Sequence, residues 1–181
     1  MKIDLLNKWY SFVMLLLIAL SLSFPAIAQE KGDVAIGING LGGIYVDNTF
    51  SFGFGLKLLY NITAPLLLTG EMDFSTGVNL DNNIAARGFQ DYSLYVHYLL
   101  PVSKKVAVYP LVGGGVLRTK SKTDFSGIAE KAIDYRFVSS LGAGFDYAIT
   151  NNLTSSVELR FKHRHHGRNH YIYLASIAYK F

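Results

Sequence analysis

Tyr171-Ile172-Tyr173-Leu174-Ala175-Ser176-Ile177-Ala178-Tyr179-Lys180-Phe181 decides how the rest of this sequence is read. Counting back from the last residue, Phe181, Tyr179, Ile177, Ala175, Tyr173 and Tyr171 fall on one face of an extended chain, and Lys180, Ala178 and Ser176 on the other. The reason is geometric: successive strand residues point to opposite sides of a sheet. A half-buried strand of a water-soluble protein alternates in the same way. What differs is the aromatic load, three tyrosines and a phenylalanine on one face. That suits an outer side in contact with lipid and strand ends set in interfacial girdles of aromatic rings. The rest of the chain is then expected to supply seven more such strands.

Residues 1–28 read as an export signal. Lys2 and Lys8 give a positive start, Phe12 to Leu20 an apolar centre, and Ala26-Ile27-Ala28 a cleavage site before Gln29. The nine apolar residues from Phe12 to Leu20 fall short of the ~20 that a membrane-spanning helix needs. Residues 29–181 are expected to form one domain. Without the signal the chain keeps 15 of its 17 basic and 12 of its 13 acidic residues, a net charge of +3, too mild a balance to imply nucleic acid. Zero Cys excludes disulfides, thiolate chemistry and a lipidated cysteine. Half of the residues are apolar, with 12 Tyr and 12 Phe but only four Pro. Apolar content spread as alternation in an exported chain is the signature of a membrane β-barrel.

Along the chain, Val34 to Asn39 alternates and passes through a glycine-rich stretch, Gly40-Leu41-Gly42-Gly43, where a bulge is expected to shift the phase, before Ile44-Tyr45-Val46. Strand two, Thr49 to Tyr60, sets Phe52, Phe54, Leu56, Leu58 and Tyr60 against Ser51, Gly53, Gly55 and Lys57. Strand three sets Leu66, Leu68, Gly70, Met72 and Phe74 against Thr69, Glu71, Asp73 and Ser75, and strand four Tyr92, Leu94, Val96, Tyr98 and Leu100 against Asp91, Ser93, Tyr95 and His97. In strand five, Val106 to Leu117, both faces are apolar or glycine, so the phase stays open, and Pro110 suggests a bulge or strand end. Strand six, Ile133 to Ile149, turns Arg136, Ser140, Gly142, Gly144 and Asp146 inward. Strand seven, Leu153 to His163, does the same with Glu158, Arg160 and Lys162. Short turns near 61–65, 101–105 and 150–152 alternate with connections near 47, 76–88, 118–132 and 164–169. The expected fold is all-β: an eight-stranded antiparallel up-and-down transmembrane β-barrel, with short periplasmic turns and longer external loops.

Tyr109-Pro110-Leu111-Val112-Gly113-Gly114-Gly115, Leu141-Gly142-Ala143-Gly144-Phe145-Asp146-Tyr147 and the terminal Tyr179-Lys180-Phe181 carry a resemblance to the small OmpA/OmpX-type, porin-family barrels of the bacterial outer membrane. The resemblance implies residence in the cell outer membrane among lipid and lipopolysaccharide, and Tyr179 and Phe181 as the signal read by the barrel-assembly machinery. It also implies a monomer. A soluble lipocalin-like barrel inverts the faces, but an eight-stranded barrel has little interior room for so many rings.

Charges cannot face hydrocarbon cheaply, so Lys57, Glu71, Asp73, Asp91, His97, Arg136, Asp146, Glu158, Arg160 and Lys162 are expected to form a network in the lumen, with Lys180 in the same phase. The main reading is a paired plug, the alternative a gated small-solute channel. His163-Arg164-His165-His166-Gly167-Arg168-Asn169-His170 is a basic tip in which Arg164 and Arg168 are expected to meet lipopolysaccharide phosphates. Its histidines lack the spacing of a closed metal site, and no metal or cofactor is expected. Glu158-Leu159-Arg160-Phe161-Lys162-His163 loosely resembles the segment before the catalytic His of outer-membrane lipid A deacylases. Their nucleophilic Ser position is His165 here, so no enzyme is expected. The expected role is structural, or adhesion and binding of an external protein ligand through the outer loops.

Overall fold

The computed structural model describes residues 30–45, 49–79, 87–125, 128–165 and 169–181; the expected export signal lies outside them. The strands are β1 (Val34–Tyr45), β2 (Thr49–Asn61), β3 (Leu66–Asn79), β4 (Arg87–Tyr98), β5 (Val106–Phe125), β6 (Ile128–Ala148), β7 (Leu153–Arg164) and β8 (His170–Lys180). A short extension of β4, Leu100–Pro101, continues past Leu99. Each strand pairs antiparallel with the next, β1 also pairs with β8, and so the sheet closes into an eight-stranded barrel. Closure leaves the wall no free edge, the condition for crossing hydrocarbon with strands.

The alternation read from the sequence is the alternation of the barrel. Leu56 is 52% exposed and its neighbour Lys57 4%. Phe54, Leu94, Phe137, Leu141, Val157 and Tyr173 all lie on the outer surface. Exposed apolar side chains in this number, facing away from a charged interior, are the inverse of a water-soluble barrel and suit a lipid solvent.

Three expectations are corrected. β1 pairs from Val34↔Tyr60 to Ile44↔Phe50 in one unbroken register, so its glycines hold no bulge and Leu41 stays in the inward phase. Pro110 neither bulges nor ends β5. The pairs His97↔Leu111 and Leu100↔Val108 keep the same register, and the only effect is a gap in the ladder between them, where the proline has no N–H to give. The expected loop 118–132 is mostly strand, because β5 runs to Phe125 and β6 begins at Ile128. β5 also acquires its phase: Ala107, Tyr109, Leu111 and Leu117 are inside, Val108, Val112 and Val116 outside.

The interior is layered. Leu67, Tyr95, Leu99, Tyr109 and Leu111 pack toward the end where β1 begins and β8 finishes. Phe89, Leu117 and Val138, and Leu41, Ile172 and Leu174, pack toward the other. The charged residues occupy the belt between. This two-faced wall sets a test at adjacent positions of β2. Leu56→Arg is expected to destabilise the barrel by roughly 2–4 kcal/mol, as a cation on the lipid face does near the midplane, and Lys57→Ala by less, because the lumen can repair the loss. Urea unfolding in lipid vesicles measures both; the reverse order would place the phase of β2 wrong by one residue.

Candidate functional site

Arg160 organises the lumen. It lies on β7 with no exposed surface, and its guanidinium forks onto Glu71 across the barrel, Nη1 to Oε2 at 2.5 Å and Nη2 to Oε1 at 2.8 Å. Its Nε donates to Glu158 Oε2 at 2.9 Å, and Nη2 reaches the same oxygen. Lys57 joins Glu158 at 3.5 Å and donates to Ser176 Oγ at 2.5 Å. Lys162 binds Asp91 at 2.8 Å, and Asp91 also accepts from Ser93. The Arg160 guanidinium lies 4.0 Å from the centroid of the Tyr95 ring, so one planar cation is held by two carboxylates and a π-face at once.

Tyr95 can lie there because of a glycine on the facing strand. A Cβ at Gly113 would sit 2.4 Å from the Tyr95 ring, and one at Gly144 2.5 Å from the Tyr109 ring. Those two glycines are the space into which the two inward tyrosines fold. His97 is 99% buried, its ring 4.9 Å from that of Tyr109 and 6.4 Å from that of Tyr95.

Lys57, Glu71, Asp91, Glu158, Arg160 and Lys162 therefore come together as one ion-paired belt. Asp73 is buried beside it and accepts from Asn39 Nδ2 at 2.9 Å. Asp146 sits lower, buried near the side chains of Ser156 and Tyr109. Arg136 is not part of the belt: its phase is inward, but it lies beyond the packed interior, 35% exposed and paired with Asp134. Lys180 is at the rim, 3.0 Å from Asp33. Slight burial pushes the Asp33 carboxyl up, but the Glu30 backbone N–H and the Lys180 ammonium outweigh it and hold it below its ordinary value. Ser176, Ser93 and Asn39 are partners that a search for charged residues passes over, and alternation placed Tyr95 inside without showing the cation it carries.

At the far end β7 stops on Arg164, half-buried in the inward phase, so it faces the barrel mouth rather than lipid. Arg168 and His166 lie outside the described residues. His163 Nδ1 is 2.8 Å from Asn169 Oδ1. The β5–β6 hairpin extends further. Pairing of β4 with β5 ends at Gly88↔Lys120 and that of β6 with β7 at Val138↔Arg164, while β5 and β6 stay paired to Phe125↔Ile128.

A family model described as "Outer membrane protein beta-barrel domain" matches residues 12–181. The chain belongs to that family. Its place is therefore the cell outer membrane, with the short turns on the periplasmic side by the usual pattern of such barrels. Among solved structures it is similar to Ail of Yersinia pestis, with 17% identity over 83% of this chain and 99% of that one at a TM-score of 0.58. It is also similar to Neisserial surface protein A, with 14% identity over 82% and 96% at 0.62, and to OprG of Pseudomonas aeruginosa, with 13% identity over 87% and 99% at 0.56. At these identities the likeness is one of fold. No protein of curated function matches the sequence.

The belt makes a sharp energetic prediction. Arg160→Met strands Glu71 and Glu158 without their main cation and is expected to cost about 3–5 kcal/mol, the usual scale for breaking a buried pair from one side. Adding Glu71→Gln removes the carboxylate left without a cation, while Glu158 keeps Lys57, and is expected to recover much of the loss. Urea unfolding in vesicles checks both; a double variant less stable than Arg160→Met would mean Glu71 acts independently of the arginine.

Proposed function

We propose that this protein is a surface-interaction module of the outer membrane whose β5–β6 hairpin is the element that binds an external protein. The observation that carries the reading is an open strand edge. Among the described residues no strand pairs with Ile128 to Arg136 on the side of β6 away from β5. At ~3.4 Å per residue this edge is roughly 30 Å long, and an exposed edge of that length is a template for an added strand. Ile133 and Tyr135 stand exposed beside it, with Arg118 over the Tyr135 ring at 5.8 Å. The channel alternative is less well supported, because Arg160, Lys162 and Tyr95 fill the lumen with essentially no exposed surface.

The ladder says how to test the edge. The Phe137 carbonyl accepts from the His165 N–H, on the β7 side. By alternation the N–H groups of Tyr135, Ile133 and Lys131 point to the same side, away from β5. Ile133→Pro therefore removes a donor from the open edge and none from the hairpin. Losing one hydrogen bond of about 0.5–1.5 kcal/mol, together with the ring clash, is expected to weaken binding of cells to immobilised extracellular proteins about tenfold. Asn82→Pro, in the segment between β3 and β4, is expected to leave it unchanged. Equal binding by wild type and Ile133→Pro would remove the edge from the function.

For Tyr179 and Phe181 we propose a role in assembly. The Phe181 N–H donates to the Val34 carbonyl at 3.1 Å, its ring packs edge-on against Tyr179 at 5.5 Å, and it is 73% exposed. So exposed a ring contributes only part of a side chain's burial, on the order of 1–2 kcal/mol. Deleting Phe181 is expected to lower the amount inserted in cells and leave refolding into detergent near normal. Unchanged insertion in cells would count against the role.

A further inference from the structure

The buried interior carries more negative than positive groups. Glu71, Asp73, Asp91, Asp146 and Glu158 are enclosed with Lys57, Arg160 and Lys162, besides the imidazoles of His97 and His170. Three of these carboxylates are ion-paired: Glu71 and Glu158 to Arg160, and Asp91 to Lys162. Asp73 and Asp146 have no cation within ion-pair distance among the described residues. Asp73 is deep in the belt, directly opposite Asp91 on the neighbouring strand. Asp146 is placed differently. It is 94% buried, with the Ser156 and Tyr109 side chains near it, and its Oδ1 is enclosed without a hydrogen-bond partner.

That carboxylate lines a cavity of about 80 Å³ at the periplasmic mouth, with Ser156, Thr154, Asn61, Lys104 and the Asp33–Lys180 pair also on its walls. We propose that Asp146 binds one small monovalent cation there, an alkali ion or a primary ammonium group. Volume and the number of ligating oxygens select this class. The cavity has room for an ion and a few waters, each needing about 30 Å³, but is far below the roughly 300 Å³ of a pocket for larger organic ligands. A calcium site draws six to eight oxygens and commonly several carboxylates, whereas no group of three or more His, Cys, Asp and Glu is gathered among the described residues. One carboxylate with hydroxyl and amide oxygens around it matches a single positive charge. An ion there also offsets part of the interior's negative excess, at an unpaired carboxylate on the cavity wall.

The test follows the Asp146 side-chain carboxyl by carbon NMR in the refolded protein. Potassium chloride, methylammonium chloride and tetramethylammonium chloride are titrated separately at constant ionic strength. The expected result is a saturable change at Asp146, several-fold larger than at the exposed Asp134, which is not on the cavity wall, with potassium or methylammonium but not with the bulky tetramethylammonium. Which of the two acts tells an alkali site from an ammonium site. Asp146→Asn is expected to abolish the potassium or methylammonium dependence of the Ser156 and Thr154 amide shifts. Equal drift in all three salts would overturn the proposal, since that is ionic screening alone. A response that appears only after Lys104→Gln would overturn it too, because the lysine's own ammonium would then be the natural occupant. If Asp146→Asn does not fold, the comparison of salts on the wild-type protein decides the matter alone.

Discussion

Hydrocarbon offers no hydrogen-bond partner, and the architecture of this chain follows from that fact. Every backbone N–H and C=O at membrane depth has to be met by another strand, so β1 must return to β8 and β4 to β5. The same demand forbids slack in register, because one slipped residue would turn a row of charges toward lipid. That is why the glycines of β1 produce no bulge despite the freedom they give. Pro110 is tolerated close to the periplasmic rim, where the ladder gap beside Tyr98 and Leu99 lies near water.

Closure creates a second problem inside. Eight strands enclose too little space for water to solvate several charges fully, so the charges must solvate one another. Arg160 is suited to this because a planar fork can face Glu71 in two parallel bonds and still reach Glu158. Lysine could not take its place without losing one of those contacts. The belt also depends on what is missing around it: without the bare backbone at Gly113 the Tyr95 ring could not lie beneath the guanidinium. Small residues in the inward phase are thus the complement of the large ones opposite them.

Alternation made the strand count, the lipid face and the residues of the belt legible, because in β2, β3, β4, β6, β7 and β8 lipid dictates one face and the lumen the other. It failed in β5 for a physical reason. The inward Tyr109, Leu111 and Leu117 are as apolar as the outward Val108, Val112 and Val116, since this strand packs against the interior's apolar layers and carries no belt charge. Arg136 shows the complementary error. Phase alone put it in the lumen, but phase does not report height, and at its level the barrel no longer encloses it. Partner identity was illegible altogether, because which carboxylate meets which cation depends on the stagger of strands far apart in sequence.

Outside the bilayer the rule that shaped the rest of the chain lapses. From Lys120 to Asp124 the β5 sequence is polar at every position, which in a membrane strand would be ruinous and so reads as a loop. Water solvates both faces of such a ribbon, and the β5–β6 pairing needs only its own hairpin to persist. Among the described residues the same freedom leaves the β6 edge without a paired strand: water can meet its N–H and C=O groups, and a partner's backbone can replace that water at little net cost. The segment least legible from alternation is therefore the one whose sequence is released from lipid, and release from lipid is the condition for reading anything else.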